Sequence, residues 1–441
     1  MRVVPMNFNQ RLDQLLHQQI PTLIATYKSL HAAPELSHYE EMTASLVAKE
    51  LRSCGYDVTE NVGEYEQPEW KGHGVVGVLE NGPGPTVLVR TDLDALPIEE
   101  KTELPYASTV SVKTADGAQV SVMHACGHDL HATCFLGTAR LLTDLRESWS
   151  GSVLMVGQPA EETADGANAM LRAGLYERFP LPDYALALHS HAELEAGKVG
   201  FTSGYFLASL NSVDITVRGI GGHGSTPEQT RDPILLAAQI ILALQTIVSR
   251  EISPLDAAVV SVGSIHGGTK YNIIPDEVHL QLTVRSYKED VRERLLASIE
   301  RISRGIALAA GVPDELTPLV KVNAAEFAPA TYNDPCLSSR LGAVFRETLG
   351  EANVVDLPPR MGSEDFGRFG LERKIPTFMF FLGAVDPGRV LASKQGGLAL
   401  PPLHSSYYAR LAEPTIRTGV KAMTSAVLDL VKKSLQVRGS T

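Results

Sequence analysis

Apolar runs of strand length alternate with segments of helical periodicity along the first half of this 441-residue chain. We interpret residues 74–79, 86–90, 152–158 and 184–189 as strands, and residues 12–27, 40–54 and 132–145 as helices. Strands that alternate with helices favour a mixed, mostly parallel sheet flanked by helices, which is an α/β fold. In such sheets ligands bind beyond the carboxyl ends of the strands.

Polar side chains stand directly after several of these strands. Asp92 and Asp94 follow one strand, Glu161 follows another, and His189 ends a third. The cluster around Cys126 opens a predicted helix instead. Because the carboxyl ends of parallel strands share one edge of a sheet, we expect these distant residues to converge in space.

The pattern changes near residue 211. We interpret residues 212–219, 257–264, 277–287 and 319–324 as strands, and residues 232–252 and 288–310 as helices. This order of elements has the size of a small ferredoxin-like α+β domain. Because strand–helix alternation resumes after it, we expect residues 211–325 to be inserted between residues 1–210 and 326–441, which together form one catalytic domain.

Charge and cysteine content limit the classes of partner. The formal net charge is −12, and no run of lysine and arginine is present, which argues against nucleic acid and anionic membranes. The four cysteines are too few for a disulfide framework and fit a reducing cytoplasm. We find no secretory signal at the N-terminus and no uninterrupted apolar run that could span a bilayer, so we expect a cytoplasmic protein that acts on a small molecule or peptide.

The densest group of potential metal ligands lies between His124 and His131. Cys126 and His128 are separated only by Gly127, and a sharp turn there would let both side chains face one ion. A lone Cys-x-His pair is usually a buried cysteine beside an exposed histidine. The surrounding imidazoles and the carboxylate make a metal site the better interpretation, because such groups also orient metal ligands.

Glu161 and Glu162 end an apolar strand, whereas most adjacent glutamates lie on a solvated helix face. Since successive side chains point in different directions, one glutamate can hold a metal ion while its neighbour faces the substrate. That division of roles suits metal-assisted hydrolysis, in which the second carboxylate accepts the proton of water. His189, at a strand end, and His404, in a loop after two prolines, are weaker candidate ligands that could equally be structural.

Eight motifs in order make the chain resemble the M20 metallopeptidase family. They are residues 31–37 (HAAPELS), 90–97 (RTDLDALP), 123–133 (MHACGHDLHAT), 158–162 (QPAEE), 221–224 (GGHG), 271–276 (YNIIPD), 361–366 (MGSEDF) and 403–405 (LHS). The resemblance is to the amidohydrolase branch, which includes hippurate hydrolases, N-acyl-amino-acid amidohydrolases and plant auxin-conjugate hydrolases.

The resemblance implies a site for two divalent ions, of manganese, zinc, cobalt or nickel. It assigns five ligands, with Cys126 bridging the ions: Cys126, His128, Glu162, His189 and His404. It makes Glu161 the general base. Asp92 and Asp94 are then supporting residues around the ligands and not ligands themselves.

The resemblance also implies that the inserted domain is a lid through which the chain forms a homodimer. His223 would reach the site of a neighbouring subunit and stabilise the developing oxyanion, and its flanking glycines would permit that close approach. Asn272 and Arg285 would hold the carboxylate of the substrate, for which a guanidinium is a natural bidentate partner.

We therefore expect an amidohydrolase that cleaves an N-acyl amino acid or a dipeptide-like substrate with metal-activated water. Two alternatives remain open at this point. One is a cysteine hydrolase that uses Cys126 as nucleophile with His128 or His131 as its base. The other is a non-catalytic metal-binding or ligand-sensing protein of the same fold.

Overall fold

The computed structural model describes residues 8–114 and 117–432. Residues 1–7, on which part of the expectation about a secretory signal rests, lie outside the described residues. The chain divides into two compact units. The first unit comprises the described residues up to Phe206, Tyr332–Pro358 and the described residues from Asp365 onwards, and the second comprises Leu207–Thr331 and Pro359–Glu364.

The helices, in chain order, are α1 Phe8–Ala32, α2 Glu41–Ser53, α3 His128–Asp144, α4 Gly166–Arg172, α5 Leu175–Arg178, α6 Pro233–Thr246, α7 Glu289–Ala309, α8 Pro335–Leu349, α9 Gly367–Leu371, α10 Pro387–Lys394 and α11 Ala412–Leu430. The strands are β1 Asp57–Thr59, β2 Val75–Glu80, β3 Thr86–Asp92, β4 Ser111–Lys113, β5 Gln119–Ser121, β6 Ser152–Gln158, β7 Tyr184–Glu195, β8 Val199–Phe201, β9 Gly204–Leu207, β10 Ser209–Arg218, β11 Gly222–His223, β12 Ala258–Gly267, β13 Ile273–Ile274, β14 Glu277–Ser286, β15 Leu319–Ala328, β16 Thr331–Asn333, β17 Val354–Asp356 and β18 Thr377–Val385.

An eight-stranded mixed sheet forms the centre of the first unit, in the order β1-β2-β6-β3-β7-β18-β8-β17. The central strands β6, β3, β7 and β18 pair in parallel, and the antiparallel pairs lie towards the two edges. β3, β6 and β18 are buried along almost their whole length, as expected for parallel strands covered on both faces. The predicted α/β class, with a mixed and mostly parallel sheet, is confirmed.

Helix α3 lies in the core of the first unit and contacts α1 and α11. It begins at His128 and not near Ala132, where the sequence pattern starts. The missed residues include the polar His128, Asp129 and His131, all about 1% exposed. Because these polar side chains are buried, apolar periodicity does not mark the first turn of the helix.

The second unit contains a four-stranded antiparallel sheet in the order β12-β14-β10-β15. Buried and more exposed residues alternate along β10 and β14, so one face of the sheet lies in a core and the other does not. Helices α6 and α7 pack on the buried face. The order of elements, with one helix after the first strand and one after the third, is that of a ferredoxin-like unit.

Among the described helices, the stretch Pro233–Glu251 is the one long and apolar enough to cross a membrane by length and composition, with a mean hydropathy of 1.6. Gln239 and Gln245 interrupt its apolar run. Leu236, Ile240 and Leu244 are buried in the core of the second unit. The inner face of this stretch therefore packs as a core helix.

Candidate metal centre

A tight turn at Gly127 sets the positions of Cys126 and His128. Gly127 has a φ of 96°, and a Cβ atom there would lie 2.4 Å from Ser190 Oγ, which makes glycine the residue that fits. Ser190 Oγ donates a hydrogen bond to the carbonyl oxygen of Cys126 at 2.8 Å. Ser190, in the interior of β7, thereby holds the loop that opens α3.

The Cys126 thiol is 6% exposed and has two imidazole neighbours. Its Sγ lies 3.4 Å from Nε2 of His189 and 3.3 Å from Nε2 of His404. Nδ1 of His189 lies 2.8 Å from the carbonyl oxygen of Ser190, so Nδ1 carries the proton and Nε2 presents a lone pair. Two ligands bound to one zinc ion at about 2.0 and 2.3 Å would be about 3.5 Å apart, close to these sulfur–nitrogen distances.

His128 presents its second ring nitrogen to three carboxylates. Nδ1 lies 2.9 Å from the carbonyl oxygen of Asp94 and 3.2 Å from its Oδ1, so it donates there. Nε2 is buried without a hydrogen-bond partner among the described residues. It lies 3.6 Å from Glu161 Oε2, 3.8 Å from Glu162 Oε1 and 3.7 Å from Asp92 Oδ2.

Neighbouring carboxylates, chiefly those of Asp92 and Asp94, change the pKa of His128. Burial alone would lower its pKa, but Asp92 and Asp94 raise the pKa of His128 to about 10. The raised pKa shows that the carboxylates around His128 favour a positive charge at this ring. A metal ion at Nε2 would supply such a charge, and its binding would compete with protonation.

Glu162 completes the group. Its backbone N–H donates to Asp94 Oδ2 at 2.9 Å, and its Oε2 lies 3.4 Å from Nε2 of His404. Its Oε1 is buried with no hydrogen-bond partner in the described part of the chain. Burial raises the pKa of Glu162 to about 7, and burial followed by the charges of Glu162 and Glu161 raises the pKa of Cys126 well above its usual value. A divalent cation would lower both pKa values by stabilising the anions.

The five predicted ligands come together in the first unit. Ligand atoms of Cys126, Glu162 and His404 lie within 4.8 Å of one another, as do those of His128, Glu161 and Glu162, and those of a third group that includes His128 and His189. The thiol, imidazole and carboxylate donors suit a divalent transition metal. His128 Nε2 and Glu162 Oε1 are buried and have no hydrogen-bond partner among the residues that the structure describes, which is the local observation that fits a cation here.

Asp92 and Asp94 surround this group with their oxygens engaged by other residues. Asp92 accepts from His131 Nδ1 and from Arg90, both at 2.8 Å. Asp94 accepts from Ser37 Oγ at 2.7 Å, besides its bonds to Glu162 and His128. Both aspartates therefore sit where they can orient the ligands.

The contacts of Cys126 weigh against the cysteine-nucleophile alternative. The imidazoles within 3.4 Å of its sulfur belong to His189 and His404, and not to the predicted bases His128 and His131. His131 is occupied at both nitrogens, since Nδ1 bonds Asp92 and Nε2 accepts from Ser190 N at 2.7 Å. A nucleophilic cysteine also needs a lowered thiol pKa, whereas the buried Cys126 has a raised one.

Two further residues near the site were not anticipated from the sequence. Arg410 is buried, donates to the carbonyl oxygen of His124 at 2.6 Å and pairs with Asp129 at 2.7 Å, and so ties the segment after His404 to the Cys126 loop. Glu40 is fully buried although it looks like an ordinary acid at a helix start. No sequence signal distinguishes either residue from a surface charge.

The other predicted site residues lie in the second unit. His223 is exposed and lies in β11, which pairs with β13. Asn272 directly precedes β13, and its carbonyl oxygen accepts a hydrogen bond from Gly224 N at 2.9 Å. Ser225 N donates to Nδ1 of His223 at 3.1 Å, so a neutral His223 carries its proton on Nε2.

Arg285 lies on the face of the second unit's sheet that faces away from α6 and α7. Its guanidinium donates to the carbonyl oxygen of Met361 at 2.8 Å and to Ser363 Oγ at 3.2 Å through the same nitrogen. Burial lowers the pKa of Arg285. These contacts fix the guanidinium through Nε and Nη1 and leave Nη2, for which no hydrogen bond is found among the described residues, able to bind an anion.

Comparison with known proteins gives the same picture over nearly the whole chain. Residues 88–428 match peptidase family M20/M25/M40. Hippurate hydrolase of Campylobacter jejuni is 37% identical over 385 residues, covering 87% of this chain and 94% of that protein. Thermostable carboxypeptidase 2 of Saccharolobus solfataricus is 35% identical over 403 residues, covering 91% and 93%. The solved structure of Bacillus subtilis YXEP protein, a dinuclear metal binding peptidase from M20 family, is 27% identical, with a TM-score of 0.72 over 94% of this chain and 99% of that one.

Proposed function

The chain belongs to peptidase family M20/M25/M40 and is a metal-dependent hydrolase of amide C–N bonds, and from that premise we propose that it cleaves N-acyl amino acids. Hippurate hydrolase, with 37% identity, is named for an N-acyl amino acid substrate. The observation that carries the proposal is the cluster of five ligand side chains, with Cys126, His128 and His189 buried and His404 exposed, and with Glu161 Oε2 only 3.6 Å from Nε2 of His128.

We propose two divalent ions per subunit, of manganese, zinc, cobalt or nickel, held by Cys126, His128, Glu162, His189 and His404. YXEP protein, a dinuclear peptidase, supports the count. When bound, such ions polarise an amide carbonyl and lower the pKa of water.

The residues of the chain would carry out the proton transfer and the binding. Glu161 takes a proton from water while the water oxygen adds to the amide carbon, and it then delivers that proton to the leaving nitrogen as the C–N bond breaks. Nε2–H of His223 would donate to the oxyanion in the site of the neighbouring subunit, and Asn272 and Arg285 would bind the carboxylate of the substrate. The products are a carboxylic acid and a free amino acid.

The direct test is Glu161→Gln. We expect kcat on N-benzoylglycine to fall by about 10²–10⁴-fold, with bound metal unchanged, because glutamine cannot accept the proton. Glu69→Gln, at an exposed glutamate, is the matched control. If wild type and Glu161→Gln bind N-benzoylglycine equally and neither hydrolyses it, the protein is a binding protein and the proposal fails.

Removal of metal separates the proposal from cysteine catalysis. We expect a chelator to abolish hydrolysis and added divalent metal to restore it, with about two ions per chain in the restored protein by elemental analysis. Activity that survives complete removal of metal would favour Cys126 as a nucleophile.

We also propose that the second unit is a lid and forms a homodimer. Its strand β12 lies at the edge of the sheet, and α6 exposes Leu235 and Leu242 at 58% and 73%. An open strand edge and exposed leucines on one helix are features of association surfaces. We further propose a cytoplasmic location, which the four cysteines support because all of them are free.

A further inference from the structure

The loop that carries Glu161 and Glu162 has an unusual backbone. Ala160 and Ala164 have φ values of 51° and 59°, in the left-handed region that residues with a Cβ atom rarely adopt. Such a conformation persists when surrounding contacts hold it in place. The orientation of Glu161 therefore depends on whatever holds this loop.

Carboxylates from other parts of the chain bind the backbone on both sides of Glu161. Glu40 Oε1 accepts from Ala160 N at 2.7 Å, one residue before Glu161. Asp94 Oδ2 accepts from Glu162 N at 2.9 Å, one residue after it. Asp94 also bonds His128, whereas the described hydrogen bonds of the Glu40 carboxylate go only to the backbone amides of Ala160 and His38.

The segment His38–Glu40 also binds the C-terminal end of the same loop, at Asp165. Nε2 of His38 lies 3.1 Å from Asp165 Oδ2, and Asp165 in turn accepts from Thr163 Oγ1 at 2.7 Å. The His38 ring stacks on Trp70 with a centroid separation of 3.7 Å and lies 7% exposed. Glu40 Oε1 also accepts from the backbone N–H of His38 at 3.0 Å. The contact of Glu40 with Ala160 and the contact of His38 with Asp165 are therefore linked by a hydrogen bond.

We propose that Glu40, assisted by His38, is a positioning residue that sets the geometry of the general base Glu161. This inference rests on the proposed function, because it needs Glu161 to act as the base. Glu40 is not a member of any of the ligand groups found among the described residues. Its hydrogen bond to Ala160 N stabilises the left-handed turn from which the Glu161 side chain projects.

The experiment compares Glu40→Ala with Glu40→Gln. Burial, followed by the charge of Asp94, raises the pKa of Glu40 well above its usual value, so the neutral glutamine is a close substitute. Its side-chain oxygen can accept the same two N–H groups. We expect Glu40→Ala to lower kcat on N-benzoylglycine at least tenfold with KM within threefold of wild type, and Glu40→Gln to stay within threefold of wild type in both. Glu41→Ala, at the exposed neighbouring glutamate, is the matched control and should match wild type.

Two measurements test whether Glu40 holds the loop without relying on an activity assay. Amide hydrogen exchange in the peptide that covers residues 159–166 should accelerate in Glu40→Ala and not in Glu40→Gln. Bound metal per chain should be equal in all variants, because no ligand changes. If Glu40→Ala does not fold, Asp165→Ala replaces it, because that variant removes the contact between His38 and the loop. Asp165→Ala should raise the rate of amide exchange in the same peptide and lower kcat.

Several outcomes overturn the proposal. They are a Glu40→Ala enzyme with wild-type kcat and exchange, a Glu40→Gln enzyme as impaired as Glu40→Ala, or a loss of metal that accounts for the loss of activity. Wild-type protein without any hydrolysis of N-acyl amino acids would instead contradict the proposed function. In that case the exchange measurement still decides whether Glu40 holds the loop.

Discussion

The two nitrogens of His128 show how single residues set up this site. Nδ1 donates to Asp94, which leaves Nε2 to face the carboxylates of Glu161 and Glu162. Asp94 also holds the backbone N–H of Glu162. One aspartate thus orients two of the proposed ligands at once.

We expect Asp94→Ala to weaken metal binding by about 10–100-fold, because the Glu162 backbone loses its acceptor and the His128 ring keeps only the backbone carbonyl oxygen of residue 94. Titration of the metal-free protein with zinc, followed by calorimetry, measures the change. Asp57→Ala, at an exposed aspartate in β1, is the control. Unchanged zinc affinity in Asp94→Ala would show that Asp94 does not support the ligands.

At the scale of elements, the sequence pattern predicts the strands that carry the site residues. It does not predict the long-range hydrogen bonds that fix the positions of those residues. The ends of β3 and β6 are predictable, because apolar runs stop there and polar residues follow. The end of β7 is not: the strand continues past the predicted end at His189 to Glu195, because Ser190 and His191 are polar but buried within it. The start of α3 is not, since His128 and Asp129 are polar and buried. The bond from Ala160 N to Glu40 joins a backbone amide to a side chain 120 residues away, and a pattern of side chains cannot encode such a contact.

Helices α8 and α11 are joined by an ion pair that makes stability depend on pH. Arg340 Nε lies 2.7 Å from Asp429 Oδ2, and Lys432 also contacts this carboxylate. Burial alone would raise the pKa of Asp429, but the bonds to Lys432 and Arg340 lower it. A pKa lowered on folding gives stability that is present above the unfolded value of about 3.9 and is lost as the pH falls through the folded value.

We therefore expect Asp429→Asn to have a lower melting temperature than wild type above about pH 5, and the difference to shrink as the pH falls below about 4. Differential scanning calorimetry of both proteins in chelator measures this without interference from acid release of metal. A difference in melting temperature that stays constant from neutral to acid pH would contradict the prediction.

The whole molecule has two compact units with separate cores, and the chemistry is concentrated in the first. The match to peptidase family M20/M25/M40 over residues 88–428 confirms the family resemblance drawn from short motifs. Those motifs can be recognised in the sequence because each one places unusual residue types side by side. The role of the second unit as a lid has no comparable local signal and stays a prediction.

Association through α6 can be tested with Leu242→Glu. The leucine is 73% exposed, so the substitution should leave the fold intact, while a buried glutamate in a dimer interface should weaken association by about 30-fold or more. Light scattering across a concentration series measures the dimer fraction. Leu398→Glu, at a leucine 93% exposed in the first unit, is the control. Equal dimer fractions for wild type and Leu242→Glu would exclude this face of α6 as the interface.

The contact between Cys126 and His404 joins residues 278 positions apart. A nascent chain that has not yet reached His404 can offer only four of the five proposed ligands. With this ligand set, loading with metal would be completed only after translation has passed His404, and a chain that terminates earlier would carry an open, thiol-containing site exposed to oxidation and to the wrong ion.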